Sequence, residues 1–129
     1  MQMVVANWGR GNAPPDNRIV VLEALDQTHM LVATPRYDGF RDILLEVARK
    51  NVPLGILEIA GNREILITGL APAEWQYDGS RGRVMYSLPV PTDGSRKRIA
   101  MRIPNAELIE VLRDLQREAK LVIDHIYDY

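Results

Sequence analysis

The stretch RVMYSLPVPTDGSRKRIAMRI, residues 83–103, decides the fold class. Two runs of aliphatic, β-branched and aromatic residues flank Asp93-Gly94, a dipeptide that favours the tight turn of an antiparallel hairpin. With that pair at the tip, Val84 faces Ile103, Tyr86 faces Met101 and Leu88 faces Ile99, which makes one apolar face. The other face pairs Met85 with Arg102, Ser87 with Ala100 and Pro89 with Arg98, and Arg83 and Arg96 extend it. Pro89 and Pro91 fall where a missing N–H costs the hairpin nothing. They obstruct pairing on the far side, so this end of the strand is expected at a sheet edge. DGSRKR (93–98) resembles DGSRGR (78–83), but the earlier copy follows a Trp/Tyr loop and has no strand before it. The likeness comes from turn residues followed by arginines and does not mark an internal repeat.

Upstream, LGILEIAGNREILITGL (54–70) reads as a second hairpin, turning at Gly61-Asn62. That register sets Glu58 opposite Ile65 and Ile56 opposite Ile67. RIVVLEAL (18–25) and THMLVATP (28–35) read as a third pair of strands. Between them and the 54–70 pair, DGFRDILLEVARKN (38–51) changes period: Phe40, Ile43, Leu44, Val47 and Ala48 recur at helical spacing, with Asp38 as an N-cap and Asn51 and Pro53 ending the helix. AELIEVLRDLQREA (106–119) repeats the pattern with Leu108, Leu112, Leu115 and Ala119, and KLVIDHIYDY closes the chain as a strand. Residues 1–17 read as a lead-in, with at most a short strand at 3–6, and residues 18–129 as one α+β domain. The order is ββαββββαβ: an antiparallel or mixed sheet of six to seven strands backed by two amphipathic helices, with a ferredoxin-like core and added hairpins as the expected topology.

Composition narrows the function classes. The 129 residues are 47% hydrophobic and 26% charged, the mix of a globular domain. There is no cysteine, hence no disulfide, thiolate nucleophile or Cys-bound metal, and a cytoplasmic setting is expected. No apolar run approaches the ~20 residues of a membrane helix, and the start lacks the pattern of a signal peptide. The Gly-Arg-Gly at 9–11 precedes Pro14-Pro15 and no periodic helix, so it is not read as a phosphate loop. No cofactor or metal motif is present.

Charge is uneven. From 81 to 102 six basic residues stand against Asp93 alone, a net of +5; the other ten basic and sixteen acidic residues net −6. Three functional readings follow. The leading one is a non-catalytic binding or regulatory module that recognises a protein or small ligand and acts as a homodimer, because both faces of the central strands carry aliphatic residues. The second is binding of nucleic acid or another polyanion by Arg83, Arg96, Lys97, Arg98 and Arg102 on the basic hairpin. The third is a small acid–base enzyme using His29, His125 or Glu58, with Tyr127 and Asp128 nearby. In the expected hairpin Glu58 lies among isoleucines, and the first and last core strands would bring the two histidines together.

Overall fold

The computed structural model describes residues 1–6, 13–50, 54–117 and 121–127. The elements are β1 (Gln2–Ala6), β2 (Val20–Ala24), β3 (His29–Ala33), α1 (Asp38–Lys50), β4 (Gly55–Ile59), β5 (Glu64–Pro72), β6 (Arg83–Val90), β7 (Asp93–Pro104), a 3-10 turn (Asn105–Glu107), α2 (Leu108–Gln116) and β8 (Val122–Ile126). They form two antiparallel four-stranded sheets, ordered β2-β3-β1-β4 and β6-β7-β5-β8. The α+β class is as expected. The single sheet of six to seven strands is not, and a ferredoxin-like core is not what joins the elements.

The two sheets have one and the same plan. Each comes from a βββαβ unit whose strands lie in the order second, third, first, fourth. Gln2 to Ala6 and Glu64 to Thr68 show the same succession of buried and exposed residues. Met3 pairs with Val32 in the first unit as Ile65 pairs with Ile103 in the second. The helices match too: buried Phe40, Ile43, Leu44 and Val47 correspond to Leu108, Val111, Leu112 and Leu115. Each helix buries this stripe because its apolar residues recur at i, i+3, i+4 and i+7.

The units interlock. Helices α1 and α2 pack on each other, α1 touches β8, and the 3-10 turn before α2 touches β4. Each unit thus closes on the last strand of the other, and one core runs from Met3 and Val32 through both helices to Ile103 and Ile123.

Three sequence expectations change. Gln2–Ala6, read within a lead-in, lies in the interior of the first sheet, between β3 and β4. The 54–70 hairpin does not form: apart from a single bridge between Ile59 and Asn62, its two strands go to different sheets. The turn is real, with Ala60 and Gly61 at φ 49° and 81°, but stronger pairings lie outside it. The N–H of Ala60 donates to the Gln2 carbonyl at 2.9 Å, keeping β4 with β1. Beyond the turn, Asn105 draws the chain toward β7, its N–H donating to Arg63 O at 2.8 Å and its Nδ2 to Asn62 O at 2.5 Å.

The 83–103 hairpin exists with β6 at the sheet edge, but its tip is Pro91-Thr92, so Val90 faces Asp93. Asp93 holds the start of β7 instead, its Oδ1 accepting from the N–H and hydroxyl of Ser95 at 3.1 and 2.5 Å. A bulge at Met85 then sets Tyr86 opposite Ala100 and Leu88 opposite Arg98. A register change of one residue moves side chains to the other face. Tyr86 and Leu88 therefore join the arginines, while Ser87 turns toward Ile99. Residues 9–11, 51–53 and 128, which carried the phosphate-loop, helix-stop and terminal carboxylate readings, lie outside the described residues.

Candidate functional site

Strand alternation assigns the two faces of the second sheet. Ile99, Met101 and Ile103 point into the core, so Arg96, Arg98 and Arg102 point outward from β7. Arg83 is the cross-strand partner of Arg102 and shares that outer face. Its Nε donates to the Met85 sulfur at 3.4 Å, which places Met85 there as well. Four of the five basic candidates thus stand together. Lys97 does not join them: it faces Ala71 and Pro89, and its amine donates to the Trp75 carbonyl.

Two carboxylates enter this surface: Glu64, which begins β5 one pair along from Arg102, and Asp124. Asp124, the extra residue of a bulge in β8, accepts from Thr68 Oγ1 at 2.8 Å and from Arg98 at 2.5 Å. Among the described residues Arg83, Arg96 and Arg102 have no carboxylate within ion-pair distance. Arg83 and Arg102 are directly opposed like charges, an arrangement that destabilises a sheet. Around them lie exposed Met85, Tyr86 and Leu88. Sequence reasoning missed Asp124 and set Tyr86 and Leu88 inward, because a bulge leaves no mark in an alternating pattern.

The acid–base candidates do not converge. His29 begins β3 in the first sheet, where its Nδ1 lies 2.8 Å from Asp26 Oδ2 and 2.9 Å from Thr28 Oγ1 in the β2–β3 turn. Asp26 Oδ1 also accepts the N–H groups of Thr28 and His29 at 2.7 and 2.8 Å, and these bonds hold its carboxyl well below the usual range. Glu58 stands opposite Val4 on the outer face of the first sheet, away from Ile65 and Ile67. His125 belongs to the second sheet, opposite Thr68. It lines a cavity of about 290 Å³ with Tyr37, Asp38, Arg41 and Tyr127, its ring 5.7 Å from that of Tyr127. Neither His29 nor Glu58 reaches that cavity. Tyr37, at its rim, has φ 60°, a conformation uncommon for a bulky residue.

A second concave region flanks the loop after β5. Trp75 and Tyr77, with ring centres 6.3 Å apart, separate a cavity of about 380 Å³ beside Arg81 and Asp114 from one of about 320 Å³ under Ser87 and Lys97. Arg81 is engaged by Glu107, Glu110 and Asp114 at 3.4, 3.0 and 3.4 Å. A Cβ at Gly79 would meet the ring end of Tyr77, so a side chain there would displace that ring.

Among the described residues no three His, Asp or Glu side chains are placed to hold a metal, and no helix is long and apolar enough to cross a membrane. Comparison with known protein families, with curated proteins and with solved structures finds no match.

Proposed function

We propose that the chain is a non-catalytic binding module that receives an acidic protein surface on the outer face of its second sheet. The observation that carries this reading is the opposed pair Arg83 and Arg102, exposed or half-buried, with no carboxylate within ion-pair distance among the described residues. An anionic group placed between the two guanidinium groups would relieve their repulsion, and each offers a planar fork that fits a carboxylate. The surroundings favour a protein over a nucleic acid. Met85, Tyr86 and Leu88 are exposed beside the arginines, and Arg, Tyr and Met are the residue types that protein interfaces concentrate. A nucleic-acid surface would be expected on a basic domain, whereas this chain carries a net charge of −1.

Fluorescence anisotropy with a fluorescein-labelled peptide of alternating Glu and Leu tests the reading. Binding should weaken by roughly tenfold or more in an Arg83→Ala/Arg102→Ala variant, since a charged hydrogen bond contributes about 1.5–3 kcal/mol. It should be unchanged in Arg117→Ala, just past the end of α2. Equal binding to the double variant, or none to the parent, would remove the proposal. Tighter binding of mixed-sequence RNA or DNA than of the peptide at physiological salt would put the polyanion reading in its place.

A further inference from the structure

The repeated plan gives the arginine face a counterpart. In the first sheet Leu22 is the extra residue of a bulge in β2, as Met85 is in β6, and Leu57 is extra in β4, as Asp124 is in β8. These bulges turn corresponding pairs outward: Leu22 and Glu23 match Met85 and Tyr86, and Leu57 and Glu58 match Asp124 and His125. Bulges in the corresponding strands, offset by two residues when Met3 is aligned with Ile65, thus shape both outer faces, and the two faces carry opposite charge. The first bears Glu23 and Glu58, neither of which has an ion-pair partner among the described residues. The second bears Arg83, Arg96 and Arg102 in the same condition. Apolar side chains are exposed on both faces, Val20, Leu22 and Leu57 on one and Met85, Tyr86 and Leu88 on the other.

Building on the proposed role of the arginine face, we propose that its partner is a second copy of this chain. The second sheet of each copy docks on the first sheet of the other. Twisted sheets stack face to face in this way with their strands nearly aligned. Size favours the reciprocal form. Four strands ~4.8 Å apart and five residues long at ~3.3 Å per residue present on the order of 300 Å² per face. One face per copy falls short of the roughly 800 Å² per partner of a stable interface, and two come close to it. Engaging both faces at once also closes the assembly at two copies and prevents an open chain.

Light scattering on the intact chain at about 100 μM and low salt should give twice the 14.6 kDa chain mass. High salt should shift the equilibrium toward monomer, because the exposed charges are screened beyond a Debye length of ~8 Å even at 0.15 M. An Arg83→Glu/Arg102→Glu variant and a Glu23→Arg/Glu58→Arg variant should each be monomeric, with circular dichroism matching the parent. Mixing the two variants should restore a dimer, since the acidic second sheet of one then meets the basic first sheet of the other. A monomeric parent that still binds the Glu-Leu peptide through Arg83 and Arg102 would overturn the second-copy inference and leave the arginine-face reading standing. Loss of both observations would remove both. Two folded monomeric variants that fail to pair when mixed would likewise overturn it, as would a parent whose mass keeps rising with concentration.

Discussion

Thr34 and Asn105 occupy the same point of the two repeated units. Each is the first residue after the third strand of its unit, and each backbone N–H donates at 2.8 Å to the residue just before the first strand: Thr34 to Met1, Asn105 to Arg63. Both side chains are buried, and each leaves one oxygen, Thr34 Oγ1 or Asn105 Oδ1, without a partner among the described residues. Their side chains differ in one bond, the one from Asn105 Nδ2 to Asn62 that helps send β5 into the second sheet. Thr34→Val removes an unpaired buried hydroxyl and nothing else, so it should stabilise the fold by about 1 kcal/mol, whereas Asn105→Ala should destabilise it by roughly 1–3 kcal/mol. Urea denaturation of the two variants checks this; a destabilised Thr34→Val would show that its hydroxyl has a partner after all.

Gly69 marks a close approach of two strands. It sits where the β5–β8 register shifts, and a Cβ there would lie 2.5 Å from the Val122 carbonyl oxygen and 3.3 Å from the Val122 carbonyl carbon. Those atoms are backbone and cannot rotate away, so Gly69→Ala must push β8 outward. A loss of about 1–3 kcal/mol is expected, the range for overpacked interiors. Gly94→Ala is the control, since nothing lies within 4 Å of its added methyl. Equal stability of the two variants would show that β8 yields without cost.

Local pattern carried part of this structure. Both amphipathic helices and the strands of the 83–103 region could be read from periodicity, because each buries one face and the spacing of Phe40 to Ala48 or of Leu108 to Leu115 says which. Partner choice could not be read. Gly61-Asn62 makes a good turn, yet the strands beside it separate, because Gln2 and Asn105 compete for the flanking backbone groups from far along the chain. The unit repeat was equally hidden. LGILEIA and LVIDHIY share Leu54/Leu121, Ile56/Ile123 and Ile59/Ile126 as buried positions, but β4 and β8 could be matched only once their bulges were known. For the same reason four arginines of the candidate surface were found, while Asp124 and the outward turn of Tyr86 and Leu88 were not.

Acid should loosen the entry to β2. Both oxygens of Asp16 accept from the Arg18 guanidinium, at 3.0 and 2.9 Å, and Oδ1 also accepts the Arg18 N–H at 2.9 Å. The guanidinium bonds lead in holding the carboxyl at about 2 against an ordinary 3.8. A carboxyl depressed in the folded state adds stability that is complete above its unfolded value and is lost as pH falls toward its folded one. The parent should therefore be more stable than Asp16→Asn at pH 6, and the difference should shrink between about pH 4 and pH 2. Urea midpoints at pH 6, 4, 3 and 2 measure it; a constant difference would mean that the Asp16 charge takes no part.

The outward turn of Leu88 can be read chemically, because the chain has no cysteine of its own. Leu88 stands opposite Arg98, on the face that also bears Arg83 and Arg102, while Ser87 stands opposite Ile99 beside the Trp75 and Tyr77 loop. A thiol among several guanidinium groups has its pKa lowered more than one beside the single Lys97 amine, which the Trp75 carbonyl already engages. Leu88→Cys should thus react with iodoacetamide at pH 7 several times faster than Ser87→Cys, and 1 M salt should narrow the gap by screening the arginines. The hairpin register with its tip at Asp93-Gly94 puts residue 87 beside Ala100 and the arginines and residue 88 against Ile99, and so requires the reverse order. If Ser87→Cys is the faster of the two, the bulge at Met85 is misplaced, and the arginine face loses Tyr86 and Leu88.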